Sequence, residues 1–309
     1  MLLVANGSVF TRNAQTPFIP NGAVAIDGDT IVEVGPECEL KAKYPDAEYV
    51  DAQGNLIMPG LINCHTHIYS GLARDLAIKG CNPTNFLENL EQQWWKIDDN
   101  LTLAGTKASA YATILDSIRD GVTTIFDHHA SFCEIPGSLF TIKDAAQELG
   151  MRSCLCYEVS DRRGQEKCDQ AIAENAEFAQ WAAKECRDND NHMIAAMPNV
   201  GWCEAMTMLF ENNAKMASKY FDRKLGVLEP GAAADVIVMD YKPFTPLSEE
   251  NIDGHMLFGM MGKNCRTTII NGRVLYKDRE FVGIDEDKIN AWTMAESKKL
   301  WSTLNDRAY

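Results

Sequence analysis

The chain has 309 residues, of which 46% are hydrophobic and 24% charged, so it can bury the core of one large domain or two ordinary ones. Its net charge of -15 and its lack of any basic run argue against a nucleic-acid partner or an anionic-membrane partner. The sequence shows neither a signal peptide nor the roughly 18 apolar residues of a membrane span. Its ten cysteines have no paired spacing. We therefore expect a cytoplasmic protein with free thiols.

Residues 1–59 consist of short segments with strand character. The apolar segments 2–9, 23–26 and 31–34 are each the length of a strand, and Asp27-Gly28 between the last two is a strong hairpin signal. These features predict an all-β region at the start of the chain.

From Gly60 the pattern changes to amphipathic helical segments that alternate with apolar runs. This alternation is typical of β/α units around a parallel sheet. A further amphipathic helix is predicted from Glu204 to about Phe221. The other predicted helices and strands of this region are helices over about 99–119, up to Leu149 and over 168–186, and strands over 122–126, 151–158 and 193–197.

Strand character returns after residue 222. The segments 266–270 and 273–276 are joined by Asn271-Gly272, the preferred residues of a tight hairpin, and a helix is predicted from Asp285 onward. Because β regions flank the α/β region on both sides, we predict two domains. Residues 1–59 and 222–309 would form one composite β domain, and residues 60–221 a separate α/β domain.

His65-Thr66-His67 follows an apolar run that begins at Leu56 and includes the turn Pro59-Gly60. Successive side chains of a strand face opposite ways, so the two imidazoles share a face at the end of the strand. Imidazole nitrogens on one face are suitable first ligands for zinc or iron, although a catalytic zinc site normally has three protein ligands. The alternative from the residues alone is a pair of polar side chains that leave a buried strand for solvent.

Four segments resemble one known family. They are 28–35 (Gly-Asp-Thr-Ile-Val-Glu-Val-Gly), 58–67 (Met-Pro-Gly-Leu-Ile-Asn-Cys-His-Thr-His), 121–124 (Gly-Val-Thr-Thr) and 225–238, which contains Leu-Glu-Pro-Gly-Ala-Ala-Ala-Asp. In these segments the chain resembles the amidohydrolase superfamily, and within it the SsnA-type aminohydrolases near the triazine hydrolase and chlorohydrolase group. The resemblance makes the metal interpretation of the two histidines the favoured one.

The resemblance implies a (β/α)8 barrel together with a composite β-sandwich from both chain ends. It also implies one divalent metal ion, zinc or iron, with His65 and His67 as its first ligands. The implied reaction is hydrolytic deamination of a small, heterocyclic or amidine-like substrate by metal-activated water.

The chain departs from this family in its length and in its later ligands. Residues 60–221 number 162, whereas a (β/α)8 barrel usually needs about 250 residues. None of the four remaining histidines, at positions 128, 129, 192 and 255, lies in the context of the family's later metal ligands. We therefore predict an incomplete barrel, with an internal deletion near Ala196 to Asn199, and impaired activity. No residue can be assigned as the catalytic base.

Three further residues are candidates for substrate contacts or for support of the metal ligands. His128 and His129 end the second predicted barrel strand, and Glu158 ends the third, at the edge where active sites of barrels lie. Adjacent strand residues point oppositely, so at most one of the two histidines can face the pocket. The alternative for the two histidines is a polar strand end packed on neighbouring loops. His192 is predicted to be a solvated loop residue and His255 to have no role.

Two functions of different classes remain. The first is an aminohydrolase by descent with impaired activity. The second is a non-catalytic binding or assembly protein, because an open half-barrel exposes strand edges and apolar helix faces. A third possibility is a homo-oligomer in which another subunit completes the barrel.

Overall fold

The computed structural model describes residues 1–74, 76–189, 191–196, 213–243, 245–248, 252, 255–256, 260 and 264–306. The strands are β1 (Leu2–Phe10), β2 (Phe18–Asp27), β3 (Thr30–Pro36), β4 (Glu48–Asp51), β5 (Leu56–Pro59), β6 (Leu61–Thr66), β7 (Val122–His129), β8 (Arg152–Tyr157), β9 (Ile194–Ala196), β10 (Val236–Met239), β11 (Cys265–Ile270), β12 (Arg273–Lys277) and β13 (Glu280–Phe281). The helices are α1 (Glu37–Lys43), α2 (Phe86–Asn89), α3 (Trp95–Asp98), α4 (Leu103–Arg119), α5 (Ser138–Leu149), α6 (Gln165–Asn189), α7 (Asn213–Ala217) and α8 (Glu286–Asp306). A π-helical turn, Leu90–Trp94, joins α2 to α3, and a 3-10 helix covers Ile68–Ala73.

In the part of the chain that the structure describes, strands from both chain ends form one nine-stranded sheet. Its order is β13-β12-β11-β10-β5-β1-β2-β3, and β4 pairs in parallel with β1. The two regions join at β5, which is parallel to β1 and antiparallel to β10. Buried aliphatic side chains from both regions pack in one cluster that includes Val4, Ile57 and Val236. The sheet thus contains strands from both ends of the chain, whereas the composite β-sandwich domain stays a prediction.

The hairpin between β11 and β12 forms at the predicted turn. Asn271 has φ 51° and Gly272 has φ 74°, and two successive positive values are what a tight hairpin turn requires. A Cβ on Gly272 would also collide with the backbone oxygen of Gly28. The turn therefore needs glycine for both conformation and space.

A second sheet has four described strands, in the order β6-β7-β8-β9. The strands follow chain order, with α4, α5 and α6 between successive members from β6 to β9, and β8 and β9 are parallel. This is the β/α pattern predicted from Gly60 onward. Among the described residues β6 and β9 are the two edge strands of this sheet. The sheet therefore contains four described strands, whereas the predicted barrel has eight.

The chain separates into two compact units. The first contains Met1–Asn63, Ser117–Thr124 and Trp202–Gly283, and the second contains Cys64–Asp116, Ile125–Gly201 and Ile284–Tyr309. In the second unit, α8 buries Leu300 and Leu304 in a cluster with Leu72, Ile97 and Leu101. The domain boundaries at residues 59 and 222 stay predictions.

The structure adds elements that the sequence patterns did not reveal. These are α1, β4, the helical segment 86–98 and the 3-10 helix after β6. The helix predicted from Glu204 lies outside the described residues up to residue 212, and α7 covers 213–217. The proposed deletion point near 196–199 also lies mostly outside them. No described helix combines the length and apolar character needed to cross a bilayer.

Candidate functional site

The His-Thr-His segment lies where β6 ends. Thr66 is the last residue of the strand and is buried, His65 is exposed, and His67 is half-buried. The ring centroids of His65 and His67 are 4.7 Å apart with the rings nearly perpendicular. The alternation of strand side chains thus brings the two imidazoles together on one side of the strand end.

The ring of His67 is oriented by the backbone of β7. Its Nδ1 lies 3.0 Å from the carbonyl oxygen of His128, and since a carbonyl only accepts, this hydrogen bond requires a proton on Nδ1. The lone pair of a neutral His67 then lies on Nε2. Histidines that bind metals commonly donate their other ring N–H to a carbonyl or carboxylate in this way.

Asp127 lies beneath the His-Thr-His segment and is fully buried. Its Oδ1 accepts a hydrogen bond of 2.6 Å from the Ile68 backbone N–H and lies 3.1 Å from the Thr66 hydroxyl. Burial raises the pKa of Asp127 to about 7, although these two hydrogen bonds act in the opposite direction. Its Oδ2 has no hydrogen-bond partner among the described residues.

The two predicted histidines of β7 have different surroundings. His128 is half-buried, its ring centroid is 5.8 Å from that of His67, and burial lowers its pKa while the nearby Glu158 carboxylate opposes the shift. His129 is fully buried, with Nε2 3.0 Å from the Ser131 hydroxyl, and burial lowers its pKa to about 3. His128 is therefore the member of the pair that lies beside His67, and its role stays a prediction.

Glu158, the third predicted site residue, lies in an ion-pair network that sequence reasoning missed. Its Oε1 accepts a hydrogen bond of 3.2 Å from Nε of Arg162, whose two terminal nitrogens donate to Asp98 at 2.6 and 3.2 Å. The guanidinium of Arg162 also lies 3.9 Å from the ring centroid of Phe132 and 5.2 Å from that of Trp95. Asp98 and Arg162 are 64 residues apart, so no local pattern signals their pairing.

The other two histidines of the chain and Cys64 have different surroundings. His192 is half-buried, with Nδ1 3.8 Å from the sulfur of Cys186. Nδ1 of His255 lies 2.5 Å from the Tyr241 hydroxyl. Cys64, next to His65, is half-buried, and burial raises its pKa to about 12.

The imidazole nitrogens of His65 and His67 are suitable donors for a divalent metal ion. They provide only two of the ligands that such an ion needs. Partial desolvation, together with the nearby His67, lowers the pKa of His65, which favours the neutral ring that a metal requires. A closed or catalytic zinc site uses at least three protein ligands. In the part of the chain that the structure describes, no third His, Cys, Asp or Glu forms a compact ligand group with His65 and His67.

Comparison with protein families gives two matches. The amidohydrolase family matches residues 56–216, and the imidazolonepropionase-like composite domain of bacteria matches residues 22–47. The first match covers more than half of the chain and contains the end of β6 and all of β7. The second covers the end of β2, all of β3 and α1.

The curated relatives include two nucleoside deaminases. A 5'-deoxyadenosine deaminase from Methanococcoides burtonii is 29% identical over 188 residues, which are 59% of this chain and 39% of the relative. A 5-methylthioadenosine/S-adenosylhomocysteine deaminase from Pelotomaculum thermopropionicum is 27% identical over 154 residues, which are 50% of this chain and 33% of the relative. The chain thus spans between a third and two fifths of the length of these relatives.

Solved structures share the fold at low sequence identity. A triazine hydrolase from Arthobacter aurescens aligns with a TM-score of 0.70 and 17% identity, covering 96% of this chain and 99% of the other. The guanine deaminase of E. coli aligns with a TM-score of 0.60 and 15% identity, covering 90% and 100%. With the family match over residues 56–216, we conclude that the chain belongs to the amidohydrolase family.

Proposed function

We propose that the chain is a metal-dependent aminohydrolase by descent, which hydrolyses a carbon–nitrogen bond of a small heterocyclic or amidine-like substrate. The observation on which this rests is the pair of imidazoles 4.7 Å apart at the end of β6, within the segment that matches the amidohydrolase family. The names of the two relatives, both deaminases of adenosine derivatives, support a purine-like substrate with an exocyclic amino group.

In this proposal His65 and His67 hold one zinc or iron ion through their ring nitrogens. A zinc-containing structure is known for atrazine chlorohydrolase from Arthrobacter aurescens, one of the proteins of similar fold, which supports a divalent ion. Such an ion, when bound, lowers the pKa of water towards neutrality and polarises the bond to be broken.

The other residues of the proposed site act on the substrate and on the ligands. The backbone carbonyl of His128 holds the proton on Nδ1 of His67, which keeps Nε2 available to the metal. The side chain of His128 lies beside His67 and would contact the substrate. Glu158 retains a partly exposed carboxylate, 29% of its side-chain surface, which would accept a hydrogen bond from the substrate.

We further propose that this chain binds its metal weakly and turns over slowly. Two ligands from one strand chelate less well than three or four from several strands. A missing general base would lower the rate by a further factor of about 10²–10⁴.

The alternative is a non-catalytic binding or assembly protein. The observation that favours it is the four-stranded sheet of the described residues, in which β6 and β9 are edge strands. Edge strands present backbone groups that can pair with another chain.

One experiment separates the two functions. The protein is purified and loaded with Zn²⁺ or Fe²⁺, and three quantities are measured: bound metal per chain, ammonia released from 5'-deoxyadenosine, and mass in solution. The comparison is with a variant that combines His65→Ala and His67→Ala, and the control is His255→Ala, a histidine hydrogen-bonded to Tyr241 in the other unit.

The aminohydrolase proposal expects bound metal and slow ammonia release in the wild type and in His255→Ala, with both lost in the double variant. Metal that binds equally well to the double variant would refute the assigned ligands. A wild-type protein that forms stable oligomers and neither binds metal nor releases ammonia would favour the alternative.

A further inference from the structure

The backbone on both sides of His67 is held by one carboxylate. Thr66, immediately before His67, has its hydroxyl 3.1 Å from Oδ1 of Asp127, and Ile68, immediately after it, donates its backbone N–H to the same oxygen at 2.6 Å. The Thr66 hydroxyl also lies 2.9 Å from the backbone oxygen of Phe126. His67 is thus fixed at its two neighbours by β7.

The next residue of β7 fixes the His67 ring itself. The carbonyl oxygen of His128 accepts the Nδ1–H of His67, as described above. Asp127 and His128 therefore act on the same histidine from adjacent positions, one through its backbone neighbours and the other through its ring.

We propose that Asp127 is a positioning residue for His67, which sets the direction of Nε2 toward a divalent cation. This inference rests on the proposed function, since it assigns to His67 the metal ligation proposed there. Metal ligands must be held within about 0.5 Å of their productive geometry by their supporting residues. Loss of such support typically lowers metal affinity by about 10–100-fold.

The contacts of Asp127 fall on the two residues that flank His67. Its Oδ1 accepts the backbone N–H of Ile68 and lies against the hydroxyl of Thr66. Asp127 and Ile68 are both fully buried, so loss of this acceptor would leave the Ile68 N–H unsatisfied away from solvent. The backbone next to His67 would then have to shift, which is the displacement that a positioning residue prevents.

The test compares two substitutions with a matched control. Asp127→Ala removes the acceptor of the Ile68 N–H and one of the two acceptors near the Thr66 hydroxyl, whereas Asp127→Asn retains an acceptor oxygen in the same place. The control is Glu174→Ala, because Glu174 is also a buried carboxylate that accepts two backbone hydrogen bonds, from Gly137 and Leu139. Zinc affinity is measured by calorimetry, and the protonation of the His67 ring by nitrogen NMR of the metal-free protein.

We expect Asp127→Ala to weaken zinc binding by about 10–100-fold and to lose the single Nδ1–H form of His67. We expect Asp127→Asn and Glu174→Ala to stay within about threefold of wild-type affinity, even where they lower stability. An Asp127→Ala variant with wild-type affinity and a wild-type His67 ring would overturn the inference, as would an equal loss of affinity in Glu174→Ala.

Different results would refute the proposed metal site and the proposed role of Asp127. If the wild type binds no zinc, the metal centre is refuted, while the NMR comparison still decides whether Asp127 positions His67. If Asp127→Ala does not fold, Thr66→Val removes one of the two bonds to Asp127, and an unchanged His67 ring in that variant would count against the inference.

Discussion

The guanidinium of Arg162 donates hydrogen bonds of 2.6 and 3.2 Å to the two carboxylate oxygens of Asp98. Both side chains are buried, with 10% and 2% of their surfaces exposed. The pair joins the end of α3 to the loop after β8, beside Glu158. It gives two predictions, on stability and on pH dependence.

At pH 8, above the pKa of Asp98, replacement of Arg162 by methionine should destabilise the fold by about 3–5 kcal/mol, because it leaves the buried carboxylate of Asp98 without its partner. The neighbouring Arg163→Met is the control, since its pair with Asp99 is more exposed, at 38% and 26%. Exposed pairs contribute at most about 1 kcal/mol. Urea unfolding measures both variants, and equal losses would contradict the assigned difference.

The contribution of Asp98 to the free energy of unfolding should decrease as pH rises. Burial raises the pKa of Asp98 to about 7, while Arg162 lowers it and the carboxylates of Asp99 and Glu158 raise it. Between pH 4 and 7 the folded chain then holds more protons at this site than the unfolded chain, so its contribution is greatest at low pH and decreases as pH increases.

The measurement is the free energy of unfolding of the wild type and of Asp98→Asn from pH 4 to 8. The stability of the wild type relative to the variant should decrease with pH, by at most about 1.4 kcal/mol per pH unit. A relative stability that instead increases with pH would mean that the charge of Arg162 outweighs the burial.

A third prediction concerns the junction between β5 and β6. A Cβ on Gly60 would overlap the side chain of Thr123, so Gly60→Ala should destabilise the protein by about 1–3 kcal/mol. Thr123→Ala removes part of the overlapping side chain. In a double-mutant cycle the combined loss should therefore be smaller than the sum of the two single losses, by more than about 0.5 kcal/mol. Additive losses would show that the backbone shifts to avoid the overlap.

A fourth prediction tests the attachment of the last helix. Leu304 of α8 is 1% exposed and packs in the cluster with Ile97 and Leu101, so Leu304→Ala should cost about 2–5 kcal/mol. Met294 lies in the same helix but is 57% exposed, and Met294→Ala should change stability by less than about 0.5 kcal/mol. Thermal unfolding of both variants checks this, and similar shifts would contradict the assigned packing.

Much of the fold was predictable because its signals are local. Strand-like runs and the Asn271-Gly272 turn correctly predicted β1, β2, β3, β11 and β12, and helical spacing predicted α4, α5 and α6 within a few residues. The missed elements have weak local signals. Helix α1 has seven residues, and the segment that begins at α2 exposes Phe86 and Leu87, which hides the usual amphipathic pattern.

The site was predictable only in part, for a similar reason. The period of a strand is enough to put His65 and His67 on one side, and to separate His128 from His129. The hydrogen bond from His67 to the carbonyl of His128 joins residues 61 positions apart, and that between Arg162 and Asp98 joins residues 64 positions apart. Such pairings depend on how the strands and loops meet, which no local pattern records.

The position of β5 at the centre of the composite sheet has a consequence for folding during synthesis. One neighbour of β5, β1, precedes it in the chain, but the other, β10, begins only at Val236. At a translation rate of about 5–20 residues per second, β5 waits roughly 10–35 s for that partner. During this time one edge of β5, an apolar strand that is buried in the final fold, stays open to other chains or to a chaperone.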